Sequence, residues 1–523
     1  MERKWWTLIA VSVAIFMLLL DITVVNVALP DIQRSLHSSF SDLQWVVNAY
    51  ALTLAAFLLT SGSVADLIGR RRVFVVGLVV FTTSSAICGL STTPLMLNLA
   101  RAVQGTGGAM MFATALALLA QAFHGRERGT AFGVFGAVTG GAVAIGPVLG
   151  GVITSGIGWE WIFFVNVPIG VLAVFLTLSR VEDSRDPNAT GVDWPGLVTF
   201  SGSLFLLVYA LVQGNQRGWG STEIVAFLIG AAVLMTLFVV VEHRQSQPML
   251  DLSLFRRPAF SGASIVAFTL SGSFFAMFLY LTLYIQDVLG YTPLQAGLRF
   301  LPSTLLSFVV APIAGRLSVR MPVRLLLGSG LVLIGIGLLT MTTIDAASSW
   351  TALVPGFLLA GTGVGLVNPP LASTAVGVVP AARSGMASGI NSTFRQVGIA
   401  TGIAGLGAVF QHSVTHGTTA ALVASGQARE ILSTAHGHLG TLLQSGEVSR
   451  IARSLSPAAR AALNHSYRVG FTGAFTTIAV IAATVALLGA VLAFALVRTR
   501  DFVSAGELPV SQEEPEPLMT AAS

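Results

Sequence analysis

Three groups of residues in this chain have the types and spacing to do chemistry. The first is Asp21, set in the apolar run LLLDITVVNVALP. Holding a carboxylate in hydrocarbon costs roughly 2.5–3.5 kcal/mol on insertion scales, so the group needs a partner, a water path or a proton. That makes Asp21 a candidate proton site. The second is Arg101 in LARAVQGTGGAM, with Gln104 one turn on. A guanidinium at that depth needs acceptors. The third is GSVADLIGRRR at 62–72, where Asp66 and Gly69 precede Arg70, Arg71 and Arg72. Gly62 allows tight helix contact, and Asp66 can accept a hydrogen bond at the positive dipole end of a neighbouring helix. Three arginines in a row also anchor a loop in water.

A fourth pattern is structural in chemistry. GAVTGGAVAIGPVLGG repeats small residues at Gly136, Gly140, Gly146, Gly150 and Gly151, with Pro147 inside. Glycines let backbones approach closely, and proline removes one backbone bond and bends the span. Other chemistries are excluded. GTGGAM at 105–110 and GTGVG at 361–365 lack the strand and acid of a dinucleotide site, and there is no GxxxxGK[ST] phosphate loop. The eight histidines form no HExxH, and Cys88 is the single cysteine, so no internal disulfide or thiolate metal site exists. We expect no metal, no cofactor and no enzymatic reaction; the energy source is an ion gradient. The formal charge of +5 does not imply nucleic acid, because the arginines cluster in short loops.

The elements that position these residues are membrane helices. The chain is 54% hydrophobic and 10% charged, with mean hydropathy +0.80. A soluble domain is nearer ~25% charged. Fourteen segments are long enough to span: 7–29, 45–65, 73–90, 97–118, 130–154, 161–179, 194–213, 223–241, 260–284, 297–315, 323–342, 352–373, 384–410 and 470–497. The first follows MERK like a signal peptide, yet it carries Asp21 and lacks a convincing cleavage site, so it reads as a retained span. With the N-terminus in the cytoplasm, short inner loops hold most of the arginines, and short outer loops hold only Arg34 and Arg217. The stretch 411–469 is too polar to span and reads as a long external loop. Its end, ARSLSPAARAALNHSYRVGF, suggests a short surface helix. The tail 504–523, with four glutamates and three prolines, reads as disordered.

These residues resemble the major facilitator superfamily, specifically its fourteen-helix drug:proton antiporters (the EmrB/QacA-like group). GSVADLIGRRR resembles the loop between helices two and three, LARAVQGTGGAM the helix-four arginine motif, and AIGPVLGG the helix-five antiporter motif. Ala142 stands where that last motif usually has glycine. LDITVVNVALP, WEWIFFVNVPIG and FRQVGIATG resemble motifs of helices one, six and thirteen.

The resemblance implies an all-α major facilitator fold. A six-helix bundle would occupy 1–185, two inserted helices 186–245 and a second six-helix bundle 246–503, with a cavity between the bundles opening to each side in turn. It implies proton coupling at Asp21 with Arg101 as partner, a conformational gate at Gly62, Asp66, Gly69 and Arg70, and an antiporter seam at Gly146, Pro147, Gly150 and Gly151. Cavity candidates are Asn26, Asn48, Tyr50, Phe275, Tyr280, Asn391 and Arg395. Asp21 is the one acid we place deep in a span, which favours neutral, monovalent or zwitterionic cargo, while Arg395 suits an anionic group.

The expected function is proton-coupled export of lipophilic or amphipathic drugs. The alternatives are a dedicated exporter of one endogenous metabolite, antibiotic or lipid, and a proton-coupled uptake symporter. The expected partners are a lipophilic small molecule, protons and the lipid bilayer. The expected setting is the inner membrane of a bacterium, with both termini cytoplasmic and the chain working as a monomer.

Overall fold

The computed structural model describes residues 2–123, 125–185, 191–245, 248–318, 320–379, 384–426, 431, 455–498 and 501. Among them every regular element is a helix, and fourteen are long and apolar enough to cross a bilayer. They are α1 (Arg3–Leu36), α2 (Phe40–Ile68), α3 (Arg70–Gly89), α4 (Pro94–Ala122), α5 (Gly125–Gly156), α6 (Trp161–Arg180) and α7 (Trp194–Arg217). The series continues with α8 (Thr222–Arg244), α9 (Pro258–Val288), α10 (Pro293–Leu317), α11 (Val323–Thr340), α12 (Val354–Gly377), α13 (Ser384–Ala424) and α14 (Pro457–Leu496).

All fourteen expected segments are present. Most run past their apolar cores: α1 covers Arg3–Leu36 rather than 7–29. Helical backbone satisfies itself, so it need not stop at the hydrocarbon boundary. The stops are local. Ser39 caps α2 in a reciprocal box with Asp42, and Thr292 does the same for α10 with Gln295. His37 ends α1 in the left-handed region at φ 52°. α9 carries two π-helical turns, Ser271–Phe275 and Tyr284–Val288, so its side chains rotate in register along its length.

One expectation needs correction. The stretch 411–469 is not one long loop. α13 continues through residue 424 and α14 starts at Pro457, capped by Ser456. The proposed surface helix is the first turns of α14, continuous with the last span. Alanines and leucines such as Ala459 and Leu463 are buried, which holds that extension in place. The tail at 504–523 lies outside the described residues.

The packing follows from the short connections. α1 lies along α5, α2 along α4, and α3 along α4 and α6. In the last six helices α10 packs on α12, α11 on α12 and α14, and α13 on α14. Two helix pairs make the main joints between the first six and the last six, α5 with α10 and α2 with α13, and α1 also touches α9. The hairpin of α7 and α8 attaches through α7, which touches both α2 and α13. Because helices alternate in direction, the loop 69–72, the start of α1 and the segment after α8 share one face, here the near face. Three polar contacts cross between the first six and last six helices at the far face. Gln44 Nε2 donates to the Ile403 carbonyl (2.9 Å), Gln286 Nε2 to the Val27 carbonyl (2.7 Å), and the Leu294 amide to Ser155 Oγ (3.0 Å).

Candidate functional site

Asp21 and Arg101 meet. Arg101 Nη1 lies 2.5 Å from Asp21 Oδ2, with 1% of Arg101 and 2% of Asp21 exposed. Gln104, one turn along α4 from Arg101, lies on the same face. Its Oε1 accepts from Arg101 Nη1 (2.7 Å) while its Nε2 donates to Asp21 Oδ1 (2.9 Å). Asn166 of α6 supplies a further donor to Oδ1 (3.1 Å). The same amide donates to Ser85 Oγ of α3 (3.0 Å), and Ser85 in turn donates to the Phe163 carbonyl (2.9 Å). Arg101 Nε donates to the Val46 carbonyl of α2 (3.1 Å), and its guanidinium sits 4.2 Å over the Tyr50 ring. Two helices therefore bond directly to the carboxylate of α1, and α2 and α3 support them through Arg101 and Asn166.

The chemistry of this cluster is specific. Asp21 receives three donors, none of which can accept back, so the arrangement fits the ionised carboxylate. A buried charge pair survives only when its remaining lone pairs and protons are satisfied. Protonating Asp21 would remove the charge attraction and leave Arg101 with the Val46 carbonyl, Gln104 and the Tyr50 face. Sequence reasoning paired Asp21 with Arg101, but missed Asn166 and Ser85. The available signal was Asn166, a polar residue inside the apolar run WIFFVNVPIG.

The 62–72 loop is built within the first six helices. Arg70 pairs with Asp66 one turn away (Nε 2.9 Å and Nη2 2.8 Å to Oδ1). Gly69 turns the chain at φ +119°, and a Cβ there would lie 2.7 Å from both carboxylate oxygens of Asp183. Asp183 accepts from the Arg71 amide (3.1 Å) and pairs with Arg72 (3.2 Å). This staples the start of α3 to the segment after α6. Among the contacts of the described residues, Asp66 reaches no helix start in the last six helices. A Cβ at Gly62 would meet nothing within 4 Å.

The glycine seam of α5 faces two neighbours. A Cβ at Gly150 would stand 3.0 Å from Cα of Val24 in α1, and one at Gly151 would stand 2.6 Å from the Pro293 carbonyl in α10. A Cβ at Gly146 would run into the Thr23 side chain, and the Pro147 carbonyl sits against Gly297 of α10. Toward the near face the contact loosens: a Cβ at Gly133, Gly136 or Gly141 would meet nothing within 4 Å, and one at Gly140 would reach only the Phe308 ring of α10, at 3.6 Å. The seam is thus tight at the far half and loose at the near half.

The cavity candidates separate. Tyr50 belongs to the ion-pair cluster. Asn48, one turn along α2 from Gln44, is fully buried with neither amide atom partnered among the described residues. Asn26 donates to the Ile22 carbonyl of its own helix (2.9 Å). Tyr280 donates to the Ile403 carbonyl (2.7 Å), and Asn391 to the Ala263 carbonyl (3.3 Å). Phe275 stacks near Phe278, which stacks on Phe300 with centroids 4.9 Å apart. Arg395 is half-buried, and no hydrogen bond or ion pair to it occurs among the described residues. Two acids at span ends are buried as well. Asp193 and Glu242, at the near ends of α7 and α8, are each only 3% exposed. Acids at span ends usually face water, so their burial has no local signature.

Fourteen packed spans around a satisfied, buried ion pair define a polytopic membrane transporter. The chain belongs to the Major Facilitator Superfamily, whose family model matches residues 11–403. It is 41% identical to the multidrug resistance protein Stp of Mycobacterium tuberculosis over 77% of this chain and 75% of that one. It is 35% identical to the tetracenomycin C resistance and export protein of Streptomyces glaucescens (79% and 77%) and to the puromycin resistance protein pur8 of Streptomyces alboniger (83% and 87%). These relatives are named for resistance and export, not for catalysis. The fold is also that of a bacterial homologue of the human lysosomal transporter Spinster, captured inward-facing and occupied. The TM-score is 0.62 at 17% identity, over 95% of this chain and 98% of that one.

Proposed function

We propose that this chain exports lipophilic or amphipathic drugs in exchange for protons by alternating access. The observation that carries the reading is the buried cluster of Asp21, Arg101, Gln104 and Asn166. A carboxylate held this way stores a charge whose removal changes what α1, α4 and α6 gain by staying together. The first six helices (1–185) and the last six (246–503) act as two rocking bundles, with the α7–α8 hairpin (186–245) between them. Substrate enters from the near face, which the arginine bias puts in the cytoplasm of a bacterial inner membrane together with both termini. Rocking opens the far face, where Asp21 takes a proton and the cargo leaves. The proton departs toward the cytoplasm on return. Asp66, Gly69, Arg70 and Gly62 act as the near-face gate, and the α5 seam lets α5 move against α10. The chain works as a monomer.

The named functions of the relatives support drug export. One observation favours a narrower exporter of a single acidic compound: Arg395, a cation in a span with no protein partner among the described residues.

The test uses purified protein in liposomes with an imposed pH gradient, following a fluorescent lipophilic monovalent cation and internal pH together. Wild type is expected to move the two in opposite directions, and Asp21→Asn to lose both fluxes. Equal fluxes in both proteins place proton coupling elsewhere. Co-directional fluxes replace export by uptake.

A further inference from the structure

The α7–α8 hairpin carries a second buried pair of ionisable groups, and it is a pair of acids. Asp193 caps α7 through the Gly196 amide (2.8 Å to Oδ1). Its other oxygen accepts from the Met249 amide (3.4 Å), and Gln245 Nε2 reaches Oδ1 at 3.5 Å. Glu242, near the end of α8, accepts from the Leu250 amide through Oε2 (3.3 Å). Its Oε1 is buried and receives no donor. That oxygen faces Asp193. A Cβ placed on Gly196 would meet Asp193 Oδ2 at 2.5 Å and Glu242 Oε1 at 2.8 Å, so both carboxyls converge on one point. Two ionised carboxylates cannot share such a place without a cation or a proton.

Among the described residues Asp251, in the chain segment after α8, also faces Glu242, and it too is negative. Gln245 beyond α8 and Thr60 of α2 are neutral; Thr60 lies 3.8 Å from the Met249 sulfur. No lysine or arginine among the described residues forms an ion pair with either carboxyl. A proton on Glu242 Oε1, donated to Asp193 Oδ2, satisfies the unpartnered oxygen and removes the like-charge contact in one step.

We propose that Asp193 and Glu242 form a second proton-binding site, separate from Asp21, which fastens the inserted hairpin to the segment 248–256. The position gives the site its consequence. The segment it grips leads into α9. It also touches the last six helices: Phe255 packs on Phe394 of α13 with ring centroids 5.8 Å apart, and Arg257 donates to the Val378 carbonyl. The bound proton therefore ties the hairpin to the near-face junction between α2 and α13. With the proton gone, the carboxyls repel and the backbone amides of Met249 and Leu250 lose their fixed acceptors. The fastened state is the protonated one, so its stability is full at lower pH and is lost as pH rises. The site does not depend on what the protein carries.

The test is made on the full chain in lipid nanodiscs. Infrared spectra at neutral pH are expected to show a protonated-carboxyl band that persists in Asp21→Asn and vanishes in Glu242→Gln. Thermal stability of wild type is expected to fall as pH rises from the mildly acid range through neutrality, and to level off above it. Glu242→Gln, whose amide makes the same donation to Asp193, should give a flat profile. Asp193→Asn, with the donation reversed, should do likewise and serves if the first variant folds poorly. Parallel pH profiles in wild type and variant would overturn the proposal. So would a band unaffected by either substitution, or stabilisation of wild type by sodium in place of protons.

Discussion

Asp21 has both of its oxygens occupied, and Arg101 has no other carboxylate within reach among the described residues. Removing one member of a buried, hydrogen-bonded charge pair leaves the other uncompensated, at a typical cost of about 3–5 kcal/mol. Arg101→Ala is therefore expected to lower thermal stability in detergent by that order. The double variant Asp21→Asn with Arg101→Gln should recover most of the loss, because no unpaired charge remains. Additive losses would show that the two groups do not depend on each other. A charge in an apolar run is rare, which is why Asp21 and Arg101 were legible in the sequence. Asn166 and Ser85 were not, because neutral polar residues are common in spans and only the fold shows which of them face a carboxylate. Asp193 and Glu242 escaped for a different reason. The segment 248–256 closes over both, and its contact with Asp193 joins residues more than fifty apart, which no local pattern records.

At the scale of elements, the far half of α5 is held between α1 and α10 with no room for side chains. Gly151→Val would drive a branched side chain into the Pro293 carbonyl. The variant is expected to insert normally but to fail in closing the far face, with transport lost. A cysteine at Ser155 reports this, since the one native cysteine, Cys88, is buried. The Ser155→Cys thiol should react with a far-side membrane-impermeant reagent faster in the Gly151→Val background than alone. Equal reaction rates would mean that α10 yields instead. The fourteen spans were readable because hydropathy is a local signal. The reach of α13 and α14 beyond the bilayer was not. A helix outside hydrocarbon needs only one packed face, so its sequence grows polar and resembles a loop.

For the whole molecule, the polar contacts between the first and last six helices at the far face define one closed end. Joining Ser155→Cys to Leu294→Cys in a Cys88→Ala background is expected to trap that end. Transport should stop on oxidation and return on reduction, while the same pair left reduced transports normally. Full activity of the oxidised protein would show that the far face need not open. At 1.5 Å per residue, α13 and α14 are each about 60 Å long, against a hydrocarbon thickness of about 30 Å. Their surplus length stands together beyond the far face, and Phe410 packs edge-on against Phe471 with centroids 4.9 Å apart. The pair is a pointer rigidly fixed to the last six helices. Spin labels at its tip and on the far end of α5 would convert a small angular swing into a large change of distance, readable without touching the cavity.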